Sequence, residues 1–298
     1  MNDLQKIEFE LLKELLSVCE KLGLRYYLVC GSALGAVKYE GFIPWDDDVD
    51  VALPRPDYDI LTKKAGELLP EHMFLQNYLT DPEYPLVSSK LRNLNTTFVE
   101  KNIEDLNIVH GVFIDVFPID GLPDGEEEQR KYIKTLRSFE RRRTANQPRK
   151  KPEGGRIGLR SLMIYYFNRL TGAYKDTPKV MERFSGFLRS FPPEKSKVWC
   201  IHHEERSLSA FNPAEWYGEG TEAKFEGMTV MIPEKYDLYL TKRYGDWRAD
   251  LPDDQKVGHH YTTVEDLTRP YTDYIEKLEN GKIRIKSKEE VDSISNGG

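Results

Sequence analysis

The chain has 298 residues, of which 39% are hydrophobic, and its formal net charge at pH 7 is −7. This size and composition predict a globular protein with one large core, or a main domain with a smaller helical attachment. The acidic balance argues against a nucleic acid as the main partner, because nucleic-acid-binding proteins carry a basic face. No apolar run approaches the roughly 20 residues that span a bilayer, so no membrane span is expected.

The first half of the chain alternates predicted helices and strands. Apolar residues recur at helical spacing from Leu4 to Leu22, and Gly23 follows as a stop signal. A buried strand is predicted over 26–30, and a short helix over 33–38. Residues 54–57 can open a helix that runs to about 69. Three more strands are predicted at 74–77, 86–92 and 112–117.

The second half is predicted to be mainly helical. Helices are expected over 125–146, 157–170, 177–191 and 233–244, with a basic loop at 147–156 and a strand at 198–201. The tail from about residue 282 is polar and is expected to be disordered. The predicted division of the chain is a catalytic core at 1–125, a helical insertion related to the acceptor at 126–195, a C-terminal part at 196–281 that packs on the core, and a polar tail at 282–298.

The cysteines indicate the compartment. Cys19, Cys30 and Cys200 are an odd number without close spacing, which fits neither a disulfide framework nor a zinc knuckle. The N-terminal residues lack the basic-then-apolar pattern of a signal peptide. Reduced thiols in the cytoplasm are therefore expected, with the inner membrane face as a peripheral location.

Residues 46–50 place four carboxylates in five positions, just before and inside an apolar strand-like run. Alternation along a strand sends Asp48 and Asp50 to one face. Asp115 stands alone between apolar strand residues, where a buried carboxylate needs a partner or a metal ion. The three together predict a site for Mg²⁺, with Mn²⁺ as the alternative. The competing interpretation is that these carboxylates cap helices or line a solvated loop.

Several other residues are candidates for substrate binding. The Gly31-Ser32 turn follows a strand and can hold a phosphate at a helix start, although Gly-Ser turns are common. Lys90 and Arg92 alternate onto one strand face and can bind a diphosphate, or they are ordinary surface charges.

Aromatic and imidazole groups extend this set. Trp45, Tyr39 and Phe42 can attract a quaternary ammonium group through cation–π interaction, although core packing also explains Phe42. The adjacent His259 and His260 can supply a base or a phosphate contact, but they point in different directions in any regular structure.

The sequence resembles the LicD family, which includes the fukutin-related proteins. Residues 31–38 read Gly-Ser-Ala-Leu-Gly-Ala-Val-Lys, and residues 41–50 read Gly-Phe-Ile-Pro-Trp-Asp-Asp-Asp-Val-Asp, as in the signature of that family. Supporting stretches lie at 90–92, 96–97, 113–118, 225–227, 232–233 and 244–247. The similarity spans roughly residues 5 to 262.

The resemblance implies an α+β fold with a nucleotidyltransferase-like mixed sheet flanked by helices, a helical insertion and a C-terminal helical part. It implies transfer of a substituted phosphate, typically phosphocholine from CDP-choline or a group from another CDP-alcohol, to a hydroxyl of a cell-surface glycan precursor. By position, Asp48, Asp50 and Asp115 become catalytic metal ligands. Gly31 and Ser32 become the phosphate turn, and Lys90 and Arg92 become candidate nucleotide contacts. Together with Lys38, Trp45 and His259, these are the predicted substrate-binding residues.

Two alternatives to this activity stay open at the level of the sequence. The first is a nucleotidyltransferase that uses the same metal site to add a nucleotide to a small molecule. The second is a catalytically inactive binding protein that retains the fold.

Overall fold

The computed structural model describes residues 1–146, 163, 166, 167, 170, 177–201, 211–258, 260–278 and 283–296. The helices assigned in full within these residues are α1 (Asp3–Leu22), α2 (Cys30–Lys38), α3 (Arg55–Lys64), α4 (Glu126–Asn146), α5 (Thr177–Arg189), α6 (Tyr236–Tyr244) and α7 (Lys288–Asn296). The strands are β1 (Tyr27–Leu28), β2 (Asp50–Pro54), β3 (Met73–Gln76), β4 (Ser89–Asn93), β5 (Thr97–Glu100), β6 (Phe113–Gly121), β7 (Val198–Ile201), β8 (Asn212–Pro213), β9 (Thr221–Phe225), β10 (Met228–Ile232), β11 (Thr262–Asp266), β12 (Ile275–Lys277) and β13 (Ile283–Ile285).

A mixed sheet organises the fold. Its strand order is β1-β2-β6-β4-β3, and β7 pairs with β6 and with β8. The β2–β6 pair is parallel and the other pairs are antiparallel. Because β6 is long enough to pair with three strands, it lies at the centre of the sheet. This arrangement confirms the predicted α+β fold with a nucleotidyltransferase-like mixed sheet.

The two faces of this sheet differ in polarity. Leu75, Leu91 and Ile114 are directly opposite one another on β3, β4 and β6, and all three are buried. The next row on the other face is polar and runs across four strands. It consists of Gln76, Lys90, Asp115 and Asp50. Since directly opposite residues share a face, one face belongs to the core and the other carries charged groups.

Helix α1 has a well-defined beginning and end. Asn2 and Gln5 form a reciprocal capping box, and Gly23 ends the helix in the left-handed conformation with φ of 65°. Leu11, Leu12 and Leu15 of α1 are fully buried in the main core, and the helix packs against β4 and β6. The sequence pattern therefore predicted this helix almost to the residue.

Smaller elements surround the central sheet. Strands β9–β10, β5–β11 and β12–β13 form three antiparallel pairs, so the C-terminal part contains strands as well as helices α6 and α7. Helices α4 and α5 pack on each other around a second apolar cluster that includes Tyr132, Leu136 and Phe184. No helix within the described residues is long and apolar enough to cross a membrane.

Most sequence-predicted elements are confirmed. The strands at 74–77, 86–92 and 112–117 correspond to β3, β4 and β6 with shifted boundaries, and the strand at 198–201 is β7. The basic loop at 147–156 lies outside the described residues, as does most of the helix predicted at 157–170.

The prediction of a disordered tail is wrong for residues 283–296. This segment forms β13 and α7. Ile283 and Ile285 pair with β12, and Val291 packs with Val264 and Tyr274 in a small apolar cluster. A few apolar side chains are therefore enough to order a polar segment when neighbouring residues pack against them.

Candidate active site

Three side chains from distant parts of the chain converge on the polar face of the sheet. Ligand atoms of Asp48, Asp115 and His260 all lie within 4.8 Å of one another. Asp48 lies just before β2, Asp115 lies in β6, and His260 precedes β11. Oxygen atoms of Asp46, Asp47 and Asp48 also all lie within 4.8 Å of one another. We call Asp46, Asp47, Asp48, Asp50 and Asp115 together the acidic centre.

The parallel pairing of β2 and β6 positions Asp115. Asp50 and Asp115 are register partners on adjacent strands, and Lys90 is the partner of Asp115 on β4. The Oδ2 atom of Asp115 lies 3.2 Å from Lys90 Nζ. The Oδ1 atom is buried and has no hydrogen-bond partner in the described part of the chain. A buried carboxylate oxygen without a donor is costly unless a cation or substrate completes its environment.

Proximity of like charges changes the acidities of the acidic centre. Burial, followed by the charge of Asp47, raises the pKa of Asp46 to about 6. Burial and the charge of Asp46 raise the pKa of Asp48 to about 7. Burial, with Asp48 and Asp115, raises the pKa of Asp50 well above its usual value. Such a cluster is the charge arrangement that a divalent cation relieves.

His260 is held against the acidic centre by Asp47. Its backbone N–H donates to Asp47 Oδ2 at 2.9 Å, and its Nδ1 atom lies 3.2 Å from Asp47 Oδ1. The ring also packs edge-on against Phe113, with centroids 5.3 Å apart. Burial alone would lower the pKa of His260, but the bond to Asp47 and the charges of Asp48 and Asp115 raise it. The imidazole therefore has a fixed position and a defined partner.

Lys90 and Arg92 are part of a buried ion network. Lys90 Nζ lies 3.2 Å from both Asp115 and Glu100, and 3.2 Å from the ring centroid of Phe113. Arg92 donates to Gln76, to the Gly111 carbonyl at 2.7 Å and to Glu100 at 2.9 Å. Lys90 is 3% exposed and Arg92 is 0% exposed. A contact between Arg92 and a nucleotide would require these bonds to break.

Glu100 joins the two cations. Burial alone would raise the pKa of Glu100, but Lys90 and Arg92 outweigh it and lower the pKa to about 2. Glu100 therefore stays ionised and fixes Lys90 beside Asp115. In this arrangement Arg92 orients Glu100, and Glu100 orients Lys90.

The predicted phosphate turn forms the first turn of α2. The N–H groups of Gly31 and Ser32 belong to this turn, where no earlier helical carbonyl is available to them. Ser32 Oγ accepts a hydrogen bond from the backbone N–H of Asp50 at 2.8 Å. A Cβ atom added at Gly31 would lie 2.8 Å from Asp46 Oδ2. The absence of a side chain at Gly31 thus lets the helix start approach the acidic centre.

The remaining predicted substrate residues have different surroundings. Trp45 is half-buried, meets Tyr39 edge-on with centroids 6.1 Å apart, and has Lys256 Nζ at 5.5 Å from its ring centroid. Lys38 Nζ donates to the Arg248 and Ala249 carbonyls at 3.1 and 2.8 Å, so it holds the segment after α6.

His259 lies outside the described residues. Its neighbour His260 is the imidazole at the acidic centre, which the sequence pattern flagged only as one of a pair.

Sequence reasoning missed two buried acids near this site. Glu100 was not singled out, because a glutamate at a strand end looks like a surface residue. Glu8 is buried in α1, and burial together with the charges of Asp48 and Asp47 raises its pKa well above the usual value. Its position inside the helical hydrophobic stripe, next to Leu11 and Leu12 one turn on, was a signal in the sequence.

Comparisons with known proteins agree with this geometry. Residues 23–151 match the family model described as LicD/FKTN/FKRP, nucleotidyltransferase domain. The chain is similar to the lipopolysaccharide cholinephosphotransferase LicD of Haemophilus influenzae, with 23% identity over 247 residues, which cover 82% of this chain and 89% of that protein. Uncharacterized proteins of Rickettsia prowazekii and Rickettsia typhi are each 35% identical over 49 residues, or 16% of this chain and 18% and 16% of those proteins.

The mixed sheet and the carboxylates on its polar face define a nucleotidyltransferase-type domain. Residues 23–151 match the nucleotidyltransferase-domain model of the LicD family, and this match, together with the similarity to LicD of Haemophilus influenzae, confirms the resemblance found in the sequence.

Proposed function

We propose that the protein transfers phosphocholine from CDP-choline to a hydroxyl of a cell-surface glycan precursor. The observation that carries the proposal is the similarity, over 247 residues, to a lipopolysaccharide cholinephosphotransferase. The position of Asp115 supports it, because one oxygen of this carboxylate has no partner within the described residues and a ligand atom of Asp115 lies within 4.8 Å of Asp48 and His260. A cytoplasmic location at the inner membrane face fits the cysteines, since Cys19, Cys30 and Cys200 form no disulfide in the described chain.

The proposed cofactor is Mg²⁺, with Mn²⁺ as the alternative. The donor set is all oxygen apart from one imidazole, which suits hard divalent cations. Asp48 and Asp115 would hold the ion, with Asp50 as a third carboxylate on the same sheet face. When bound, such an ion offsets negative charge on the donor phosphates and on the leaving oxygen. Lys90 fixes the orientation of Asp115 for this role.

The proposed transfer exchanges one phosphorus–oxygen bond for another. The acceptor oxygen forms a bond to the phosphorus of phosphocholine, the bond from that phosphorus to CMP breaks, and CMP leaves with the electron pair. The acceptor proton passes to a carboxylate, and Asp115 Oδ1 is the candidate atom when it does not bind the cation. The first turn of α2 at Gly31 and Ser32 is placed to receive a donor phosphate beside the acidic centre.

Trp45 is the proposed contact for the choline head group. The ammonium group of Lys256 lies 5.5 Å from its ring centroid, so this ring already meets one cation of the chain, and a choline group would be attracted to it in the same way. Tyr39 packs edge-on against Trp45 and fixes its orientation. A CDP-alcohol without an ammonium group, such as CDP-ribitol, would lack this interaction, so comparing the two donors tests the role of Trp45.

A transfer assay tests the proposal. Purified protein is incubated with CDP-choline, Mg²⁺ and lipopolysaccharide, and CMP release and acceptor mass are measured. We expect a mass gain of one phosphocholine, loss of activity in EDTA, and recovery with Mg²⁺. Asp48→Ala and Asp50→Ala should be inactive, whereas Asp124→Asn at an exposed position should be active.

Two results would overturn the proposal. Full activity of Asp48→Ala and Asp50→Ala, with both shown folded by circular dichroism, would remove the role of the acidic centre. A mass gain of a whole nucleotide would instead establish the nucleotidyltransferase alternative.

A further inference from the structure

A cavity lies at the edge of the central sheet, away from the acidic centre. Its volume is about 400 Å³, within the range of roughly 300–1,000 Å³ that small-ligand pockets occupy. Phe74 of edge strand β3 and the apolar residues Ile108 and Ile275 contribute to its lining. Polar residues complete the wall. They are Thr80, Asp81, Asn107, Tyr271, Thr272 and Lys277.

These polar residues offer unused hydrogen-bonding groups. Asp81 Oδ2 accepts from Gln76 Nε2 and from the Val109 N–H, both at 2.9 Å. Within the described residues, no donor reaches Asp81 Oδ1, and the Tyr271 hydroxyl and the Asn107 carboxamide have no partner. Asp81 is only 8% exposed and lines the cavity. The cavity thus presents an acceptor, an amide and a hydroxyl without partners, together with Lys277, two threonines and apolar side chains.

The cavity and the acidic centre are on the same face of the sheet. Phe74 is opposite Arg92 and Phe113, and all three share the face of the row that contains Asp115. Gln76, which contacts Asp81, is two strands from Asp115. Neighbouring strands are about 4.8 Å apart, so this separation is roughly 10 Å. Gln76, Arg92 and Lys90 are buried between the two places, so a ligand that contacts both has to pass around these side chains.

A continuous chain of buried side chains connects the two places. From the cavity to the acidic centre it consists of Asp81, Gln76, Arg92, Glu100, Lys90 and Asp115. Each link is a direct hydrogen bond or ion pair. The cavity wall and Asp115 are therefore held in a fixed relation, as a substrate that contacts both would require.

We propose that this cavity binds a sugar residue of the acceptor glycan, at a distance from the hydroxyl that reacts. A sugar combines an apolar C–H face with hydroxyl groups that both donate and accept, which matches a lining that contains Phe74 and Ile108 together with Asp81, Asn107 and Tyr271. The assignment rests on the proposed function, because it takes the acceptor to be a glycan.

Ligand binding without the donor tests the inference separately from catalysis. Saturation-transfer NMR titrations use glucose, galactose and N-acetylglucosamine as probes, with choline as a comparison. The variants are Tyr271→Phe, Asn107→Ala and their combination. Asn95→Ala, another exposed turn asparagine outside the cavity, is the matched control.

The expected result is that at least one sugar binds the unmodified protein. The double variant should bind it at least about fivefold more weakly, because two hydrogen bonds are lost, whereas Asn95→Ala and Asp48→Asn should bind it unchanged. The inference is wrong if no sugar binds, or if the sugar binds the double variant as tightly as the unmodified protein. It is also wrong if the double variant loses affinity for choline but not for the sugar. If sugars bind as expected but CDP-choline is not turned over, the cavity assignment stands and the proposed function fails.

Discussion

Strand β6 carries two buried aspartates whose surroundings differ. Asp120 is 0% exposed and forms a two-pronged ion pair with Arg55, with Oδ1 2.6 Å from Nε. Asp115 is 2% exposed, has only Lys90 at 3.2 Å on Oδ2, and leaves Oδ1 without a partner in the described residues. The comparison teaches that a buried carboxylate is explained by structure when both oxygens are satisfied. One that is half satisfied points to a ligand.

The largest expected effect is the loss of transfer activity in the Asp115 variant. Asp115→Asn keeps the shape of the side chain but removes its charge, so transfer should fall at least about 10³-fold, equivalent to about 4 kcal/mol of transition-state stabilisation. Release of CMP from CDP-choline measures this. Asp124→Asn is the matched control. Activity of Asp115→Asn within tenfold of the unmodified protein would contradict the assignment.

The second effect separates Asp115 from Asp120 by stability. Asp120→Asn leaves the Arg55 guanidinium buried without its main counter-charge, so the free energy of unfolding should fall by about 3–5 kcal/mol. Asp115→Asn should cost less, because Lys90 keeps Glu100. Urea denaturation compares the two variants. Equal losses of stability would mean that both aspartates are structural.

A third effect concerns His110, a buried residue on which the charge of Arg92 acts. Burial, and then the charge of Arg92, lowers the pKa of His110 to about 4, against about 6.5 in the unfolded chain. Below pH 6.5 the unfolded chain binds a proton that the folded chain refuses, so stability present at neutral pH is lost as the pH falls from 6.5 to 4.

The His110→Gln variant isolates this contribution. Between pH 7 and 4.5, the unfolding free energy of this variant should fall by about 2 kcal/mol less than that of the unmodified protein. Parallel urea titrations at several pH values measure the slopes. Identical slopes would show that His110 does not carry the pH dependence.

The smallest expected effect lies at the phosphate turn. Ser32→Ala removes the hydroxyl that accepts from the Asp50 N–H, and should lower the free energy of unfolding by about 1–2 kcal/mol. Ser190→Ala removes an exposed hydroxyl and should change it by less than about 0.5 kcal/mol. Thermal denaturation of both variants makes the comparison. A Ser32→Ala protein as stable as Ser190→Ala would show that this hydroxyl does not fix β2.

Local patterns in the sequence predicted much of the fold. The stripe of α1, its Gly23 end and the apolar runs of β6 and β7 depend on neighbours along the chain, and the structure contains them. The tail was mispredicted because β13 and α7 are stabilised by contacts with residues such as Tyr274, which composition does not reveal.

The site was predictable only where its residues are close in sequence. The cluster at 46–50 was visible at once, and Asp115 stood out as a lone charge in an apolar strand. His260 meets Asp47 across 213 positions of sequence, and no local pattern encodes that contact. The buried role of Arg92 was also hidden, because its partner Glu100 lies on a strand outside the central sheet.

Direct titration with Mn²⁺ tests the central claim, that Asp48 and Asp115 form one divalent cation site. Electron paramagnetic resonance of free Mn²⁺ gives the affinity for the unmodified protein, Asp48→Asn, Asp115→Asn and the control Asp124→Asn. We expect tight binding by the unmodified protein and the control, and at least tenfold weaker binding by each of the other two. Equal Mn²⁺ affinity in all four proteins would contradict the account.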